Sequence, residues 1–146
     1  MRSLSAILLA CLCGCGDDSP SGSGGDGSSS TGAPSNELEL IGEWVDDAGV
    51  MHRIDASTWF QAHDPDALTY FIDHFDNDAN YLVARLANDD TWSRFDWTFV
   101  QDVPWFCESA RGLASAQAAE ATAAADASAP ATGGCMGGPW TALAPQ

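Results

Sequence analysis

The sequence predicts a mainly β domain, a small antiparallel meander that closes or nearly closes into a barrel, with one C-terminal Ala-rich helix. Three observations predict it. Short runs of β-forming residues are separated by turns rich in Asp, Asn and Gly. Trp92 to Val100 alternates with the two-residue period of a strand, and Ser109 to Ala127 is more than half alanine.

The chain begins with an address. Met1-Arg2 carries one positive charge, Leu4 to Leu12 is apolar, and Gly14-Cys15-Gly16 follows, the order of a secretory signal. A bilayer span needs ~20 apolar residues, more than this run supplies. Leu12-Cys13-Gly14-Cys15 resembles the bacterial lipobox, in which a leucine and a small residue precede an obligatory cysteine. Residues 1–14 are thus expected to be a signal peptide and Cys15 the lipidated residue. Cys11, after Leu8-Leu9-Ala10, is the alternative, although it would leave an unusually short signal. Cys13 would put Leu12 at the cleavage position. The three cysteines also suggest a metal site. Their flanks, an apolar run and a Gly/Ser tract, offer no frame to make the thiolates converge.

Residues 15–36 join the lipidated cysteine to a Gly-, Ser- and Asp-rich stretch with no side chain large enough to offset the entropy of ordering. A flexible linker of this length spans ~25 Å, about the width of a small domain.

Residues 37–146 are of single-domain size and hold all the Trp, Phe and Tyr of the chain. Without Arg2, four arginines stand against 21 acidic residues, net −17, and there is no lysine. Such a surface disfavours nucleic acid and electrostatic docking on anionic lipid, and serves solubility.

The strands are expected in order. Leu38 to Val45 ends at the Asp46-Asp47-Ala48-Gly49 turn, and Val50 to Ile54 returns. Thr58-Trp59-Phe60 is followed by the turn Asp64-Pro65-Asp66, Leu68 to Phe75 by Asp76-Asn77-Asp78-Ala79-Asn80, and Tyr81 to Leu86 by Asn88-Asp89-Asp90. In Trp92 to Val100, Ser93, Phe95, Trp97 and Phe99 share the face expected to be core, while Trp92, Arg94, Asp96 and Thr98 share the other. The alanines of Ser109 to Ala127 favour a helix but bury little apolar area, so it needs tertiary support. Cys107 and Cys135 bracket this segment in a chain addressed to an oxidising compartment, and a disulfide between them is expected. The rival, two free thiols acting as nucleophile or metal ligands, has no partner motif.

Asp76-Asn77-Asp78-Ala79-Asn80 imitates the first half of an EF-hand loop, with Asp76, Asp78 and Asn80 as calcium candidates. The pattern then breaks at Tyr81 and Ala87, where the turn glycine and bidentate glutamate would stand, so a solvated hairpin turn is favoured. His52, His63 and His74 recur every eleven residues without forming a paired zinc motif. Arg94 and Asp96 are expected to pair. No catalytic motif is present, no cofactor is expected, and an enzyme ranks third among the functions considered.

Gly42-Glu43-Trp44 resembles the Gly-x-Trp signature of lipocalins and other calycins, which implies a calycin-like barrel plugged at one end by the tryptophan, with a ligand cup; the chain is shorter than typical lipocalins. Ile41-Gly42-Glu43-Trp44, Trp92-Ser93-Arg94-Phe95-Asp96-Trp97-Thr98, Phe106-Cys107 and Gly134-Cys135-Met136-Gly137-Gly138-Pro139-Trp140 together resemble uncharacterised exported lipoproteins of the myxobacterial type. That resemblance implies a shared fold and paired cysteines, and no activity. The sequence therefore reads as a monomeric lipoprotein of the cell envelope, at the outer membrane or cell surface, whose membrane contact is its lipid anchor. Two readings of the domain stand. In one, Trp44, Trp59, Trp92 and Trp105 line a cleft for a small apolar or carbohydrate ligand. In the other, the barrel is filled by its own side chains and serves as a structural or interaction protein.

Overall fold

The computed structural model describes residues 36–146; Cys11 and Cys15 lie outside them. Eight strands form a closed barrel: β1 Gly42–Asp46, β2 Met51–Ile54, β3 Thr58–His63, β4 Asp66–Asp76, β5 Tyr81–Leu86, β6 Trp92–Val100, β7 Val103–Leu113 and β8 Thr141–Pro145. Each pairs antiparallel with the next, and β8 pairs with β1. Among the described residues a single short helix, α1 (Ala116–Glu120), lies between β7 and β8.

The acidic residues between the strands build the turns. Asp46 Oδ1 accepts the backbone N–H of Ala48 at 3.0 Å and of Val50 at 2.8 Å, with Gly49 at φ 80° completing the reversal. Asp55 Oδ1 accepts from Ser57 and Thr58, and Asp76 Oδ1 from Asp78 and Ala79. Each carboxylate replaces a missing ladder partner, which suits Asp at these places.

Antiparallel order gives the barrel two unlike ends. The closed end carries the β2–β3, β4–β5 and β6–β7 turns together with the segment before β1. There Leu38 and Leu40 are buried, Asn77 Nδ2 donates to Glu37 O at 2.8 Å, and Trp97 Nε1 donates to Glu39 at 3.4 Å. Trp44 turns back over Gly42 and donates its indole N–H to Leu40 O at 3.0 Å; a Cβ on Gly42 would stand 2.9 Å from that ring. Only glycine leaves the indole its place.

The barrel axis is filled by aromatic rings. Trp59 lies 4.6 Å from Phe95 and 4.9 Å from Phe106, centroid to centroid, and Tyr70 meets Phe95 edge-on at 5.0 Å. Leu82, Ala84, Ile54 and Leu143 complete the core. On the outer face of β5, β6 and β7 a second buried layer, Val83, Arg94, Asp96, Cys107 and Ala110, lies under α1, which contributes the buried Ala119, and under the chain that follows it.

Three sequence expectations need correction. Leu38 to Ile41 is not strand; it precedes β1 as a turn that plugs the barrel, its leucines pointing into the core. Phe99 shares the inward alternation of Phe95 and Trp97 but is 45% exposed, because β6 has by then run past the end of the core. The Ala-rich helix is confined to Ala116–Glu120, capped by the Ser115 hydroxyl. Pairing with β6 keeps the chain extended through Leu113, and alanine methyls alone give a longer helix too little to bury.

Replacing the fully buried Trp97 by Ala should cost ~3–5 kcal/mol in denaturant unfolding, while Phe99→Ala should stay within about 0.5 kcal/mol. Equal losses in the two variants would show that β6 is buried to its tip.

Candidate functional site

Above the aromatic floor, the inward-facing residues of the open end become polar. This end carries the β1–β2, β3–β4 and β5–β6 turns. His52 is buried there, 3% exposed: its Nδ1 accepts the Trp59 indole N–H at 3.1 Å, and its Nε2 faces Asp46 Oδ2 at 3.3 Å. Trp59 can only donate, so Nδ1 is unprotonated and Nε2 carries the hydrogen shared with Asp46. Both ring nitrogens are thus engaged. Burial holds the imidazole below its ordinary pKa, against the opposing pull of the Asp46 carboxylate.

A recess of about 180 Å³ has walls that include Leu68, Leu86 and Tyr70, with Asp89, Thr91, Ser93, Glu108 and Arg111 among its polar groups. Ser93 Oγ donates to Glu108 Oε1 at 2.8 Å, and Arg111 pairs with Glu108 Oε2. The Tyr70 hydroxyl is pushed up to about 12 by burial and by the neighbouring Glu108 charge, so it stays a neutral phenol. An irregularity in β7 makes this cluster. Phe95 pairs with Glu108 but Arg94 with Ala110, so one extra residue intervenes and Arg111 comes round to the face of Glu108. A second recess of about 170 Å³, lined by Val50, Gln61, His63, Asp66, Ala67 and Leu68, adjoins the first at Leu68.

The structure distributes the four candidate tryptophans otherwise than a shared cleft requires. Trp59 is fully buried on the axis, Trp44 packs against the core at the closed end, and Trp92 and Trp105 lie half-buried on β6 and β7. None of the four lines the two open-end recesses. Alternation predicts that a strand tryptophan points in or out, but which strands bring their inward faces to one end depends on register.

Asp76 serves the β4–β5 turn with its carboxylate, and Asn80 ends that turn at φ 55°. Among the described residues no group of three or more His, Cys, Asp or Glu is placed to hold a metal ion. His52 lies in the interior, whereas His74 lies on the outer face of β4, its Nδ1 2.9 Å from Asp73; the eleven-residue spacing has no common site.

Cys107 and Cys135 form a disulfide with Cα atoms 5.5 Å apart. It ties the excursion between β7 and β8 to the outer face of the barrel. Arg94 and Asp96 do so again: Arg94 pairs with Asp96 at 2.9 Å, lies 4.1 Å over the Tyr81 ring and donates to Glu120 O at 2.8 Å, while Asp96 Oδ2 accepts from Ala125 N at 3.2 Å. The pair expected from the sequence is formed, but it is a buried clamp.

Comparison with protein-family models, with curated proteins and with solved structures finds no match for the chain.

The unfolded chain protonates His52 near 6.5, whereas the folded barrel accepts that proton only at lower pH. Its contribution to stability is therefore complete above about pH 6.5 and is lost as the pH falls through the folded value. Thermal unfolding from pH 8 to pH 4.5 should show a shallower acid slope in His52→Gln than in the wild type. Superimposable slopes would show that His52 does not carry this dependence.

Proposed function

We propose that this protein is a lipid-anchored protein of the cell envelope whose barrel binds a small ligand at its open end, above the filled axis. The observation that carries the ligand reading is the recess itself, where the leucine and tyrosine walls meet the Ser93, Glu108 and Arg111 cluster. Small-molecule sites combine apolar walls with a few fixed polar groups in this way. Its volume lies below the ~300 Å³ at which such sites usually begin, so the fitting ligand is small, an apolar body with one polar head held at the mouth.

The anchor reading rests on the lipobox-like Leu12-Cys13-Gly14-Cys15. The barrel itself has the polarity of a water-facing one: aromatic rings fill the inside, while Arg53 and Glu43 pair at 4.0 Å on the exposed outer surface. A membrane-spanning barrel places its apolar residues outward. Catalysis gains no support from His52, since Trp59 and Asp46 occupy both of its ring nitrogens.

A specific observation also favours the second reading, an interaction protein with a filled interior. The rings of Trp59, Phe95, Phe106 and Tyr70 leave the barrel centre to side chains.

Two experiments test these readings. Cys15→Ser should abolish acyl labelling and release the chain from membranes; if labelling persists there and is lost in Cys11→Ser, the anchor is Cys11. Titration of the isotope-labelled Cys15→Ser protein with phenol and short-chain alkylphenols should shift the amides of Leu68–Tyr70, Leu86, Ser93 and Glu108–Gly112. Absent or scattered shifts would leave the filled-barrel reading in possession.

A further inference from the structure

The closed end of the barrel carries an apolar feature that the core does not use. β6 and β7 run past the plugged end and reverse at Gln101-Asp102, both with positive φ, so that Val100 pairs with Val103 and Phe99 with Pro104 at the tip. Phe99, Val100 and Val103 are 45%, 39% and 40% exposed. Trp105 stands half-buried just behind them on β7. Single exposed apolar residues are ordinary, but three on one projecting hairpin, backed by a tryptophan, form a local apolar point.

The position of this point gives its occupant. The N-terminal stretch joins the barrel at the same end: Glu37 and Glu39 are hydrogen-bonded to Asn77 in the β4–β5 turn, and Glu39 also receives the Trp97 indole from β6. The described chain thus enters the barrel, from Asn36 onward, at the end from which the hairpin projects. We infer that the β6–β7 hairpin tip is a second membrane contact, seating Phe99, Val100 and Val103 among the lipid headgroups with Trp105 at the interface; this rests on the lipid-anchor reading. Aromatic residues, tryptophan above all, favour the headgroup boundary.

Charge specifies the lipid. Glu37, Glu39, Asp55, Asp78 and Asp102 belong to the segments and turns of this end, without a lysine in the chain to offset them. The contact is therefore one of apolar burial on a zwitterionic surface, and anionic lipid opposes it.

The full-length chain, purified from membranes and reconstituted into phosphatidylcholine vesicles, tests this with a fluorophore on Val100→Cys or, at the opposite end, on Ala48→Cys. Lipids carrying a nitroxide on the acyl chain should quench the label at 100 about threefold or more over that at 48. Phe99→Asp, combined with Val100→Cys, should remove the difference. Equal quenching at both positions in protein that carries its acyl group overturns the hairpin contact and leaves the anchor standing. Intact mass without an acyl group overturns the anchor, and this inference with it. A label at 100 that is shielded without nitroxide lipid, and released on dilution, marks self-association and also overturns it.

Discussion

Closure of the barrel around Trp59 is the constraint on which the other features depend. An eight-strand meander has a free edge until β8 joins β1, and a closed sheet has an axis that must be filled by water, ligand or side chains. Here Trp59 fills it, touching Phe95 and Phe106 with its faces and edges and fixing its one polar atom on His52. A tryptophan in a core needs an acceptor, and the acceptor needs its own proton directed elsewhere. Asp46 supplies that direction while also turning the chain from β1 to β2. Packing, tautomer and turn are thus one arrangement, and the polar floor of the open end is its upper surface.

The outer face of β6 is held differently. Arg94 and Asp96 are taken out of water by a segment whose apolar side chains are almost all alanine methyls. A buried ion pair gives little net stability, but losing either partner would strand the other. The guanidinium and carboxylate spend their remaining hydrogen-bonding capacity on Glu120 O and Ala125 N, so the pair specifies where the Ala-rich chain lies. The disulfide at Cys107, opposite Asp96 in the β6–β7 register, holds the far part of the same segment. Trp140 closes it by donating its indole to Asp126 O at 3.1 Å.

The strands were legible because their turns are chemically marked, as the hydrogen bonds of Asp46, Asp55 and Asp76 show. Phe95 and Trp97 were legible because alternation persists along an inward face. Phe99 was not, since alternation reports the direction of a side chain and not whether anything lies in front of it. The same limit accounts for Trp44, Trp59, Trp92 and Trp105, which share a residue type and occupy four different surroundings. Alternation places Ser93 on the inner face, whereas Glu108 carries no sequence signal of its own and joins Ser93 through the pairing of Phe95 with Glu108. Arg111 was beyond reach, because the extra residue in β7 inverts its side and nothing in the local sequence announces it. The lipobox-like stretch Leu12-Cys13-Gly14-Cys15 lies outside the described residues.

Each arginine of the barrel stands beside a carboxylate: Arg53 by Glu43, Arg85 by Asp90, Arg94 by Asp96 and Arg111 by Glu108. The positive charges are consumed locally, and what remains on the outside is of one sign. For molecules confined to a plane this matters more than for molecules in bulk. Copies crowded on one sheet of lipid would repel through a screened field reaching ~8 Å at physiological salt. On the lipid-anchored reading proposed above, such a population would resist clustering, and would loosen or condense with the ionic strength around it.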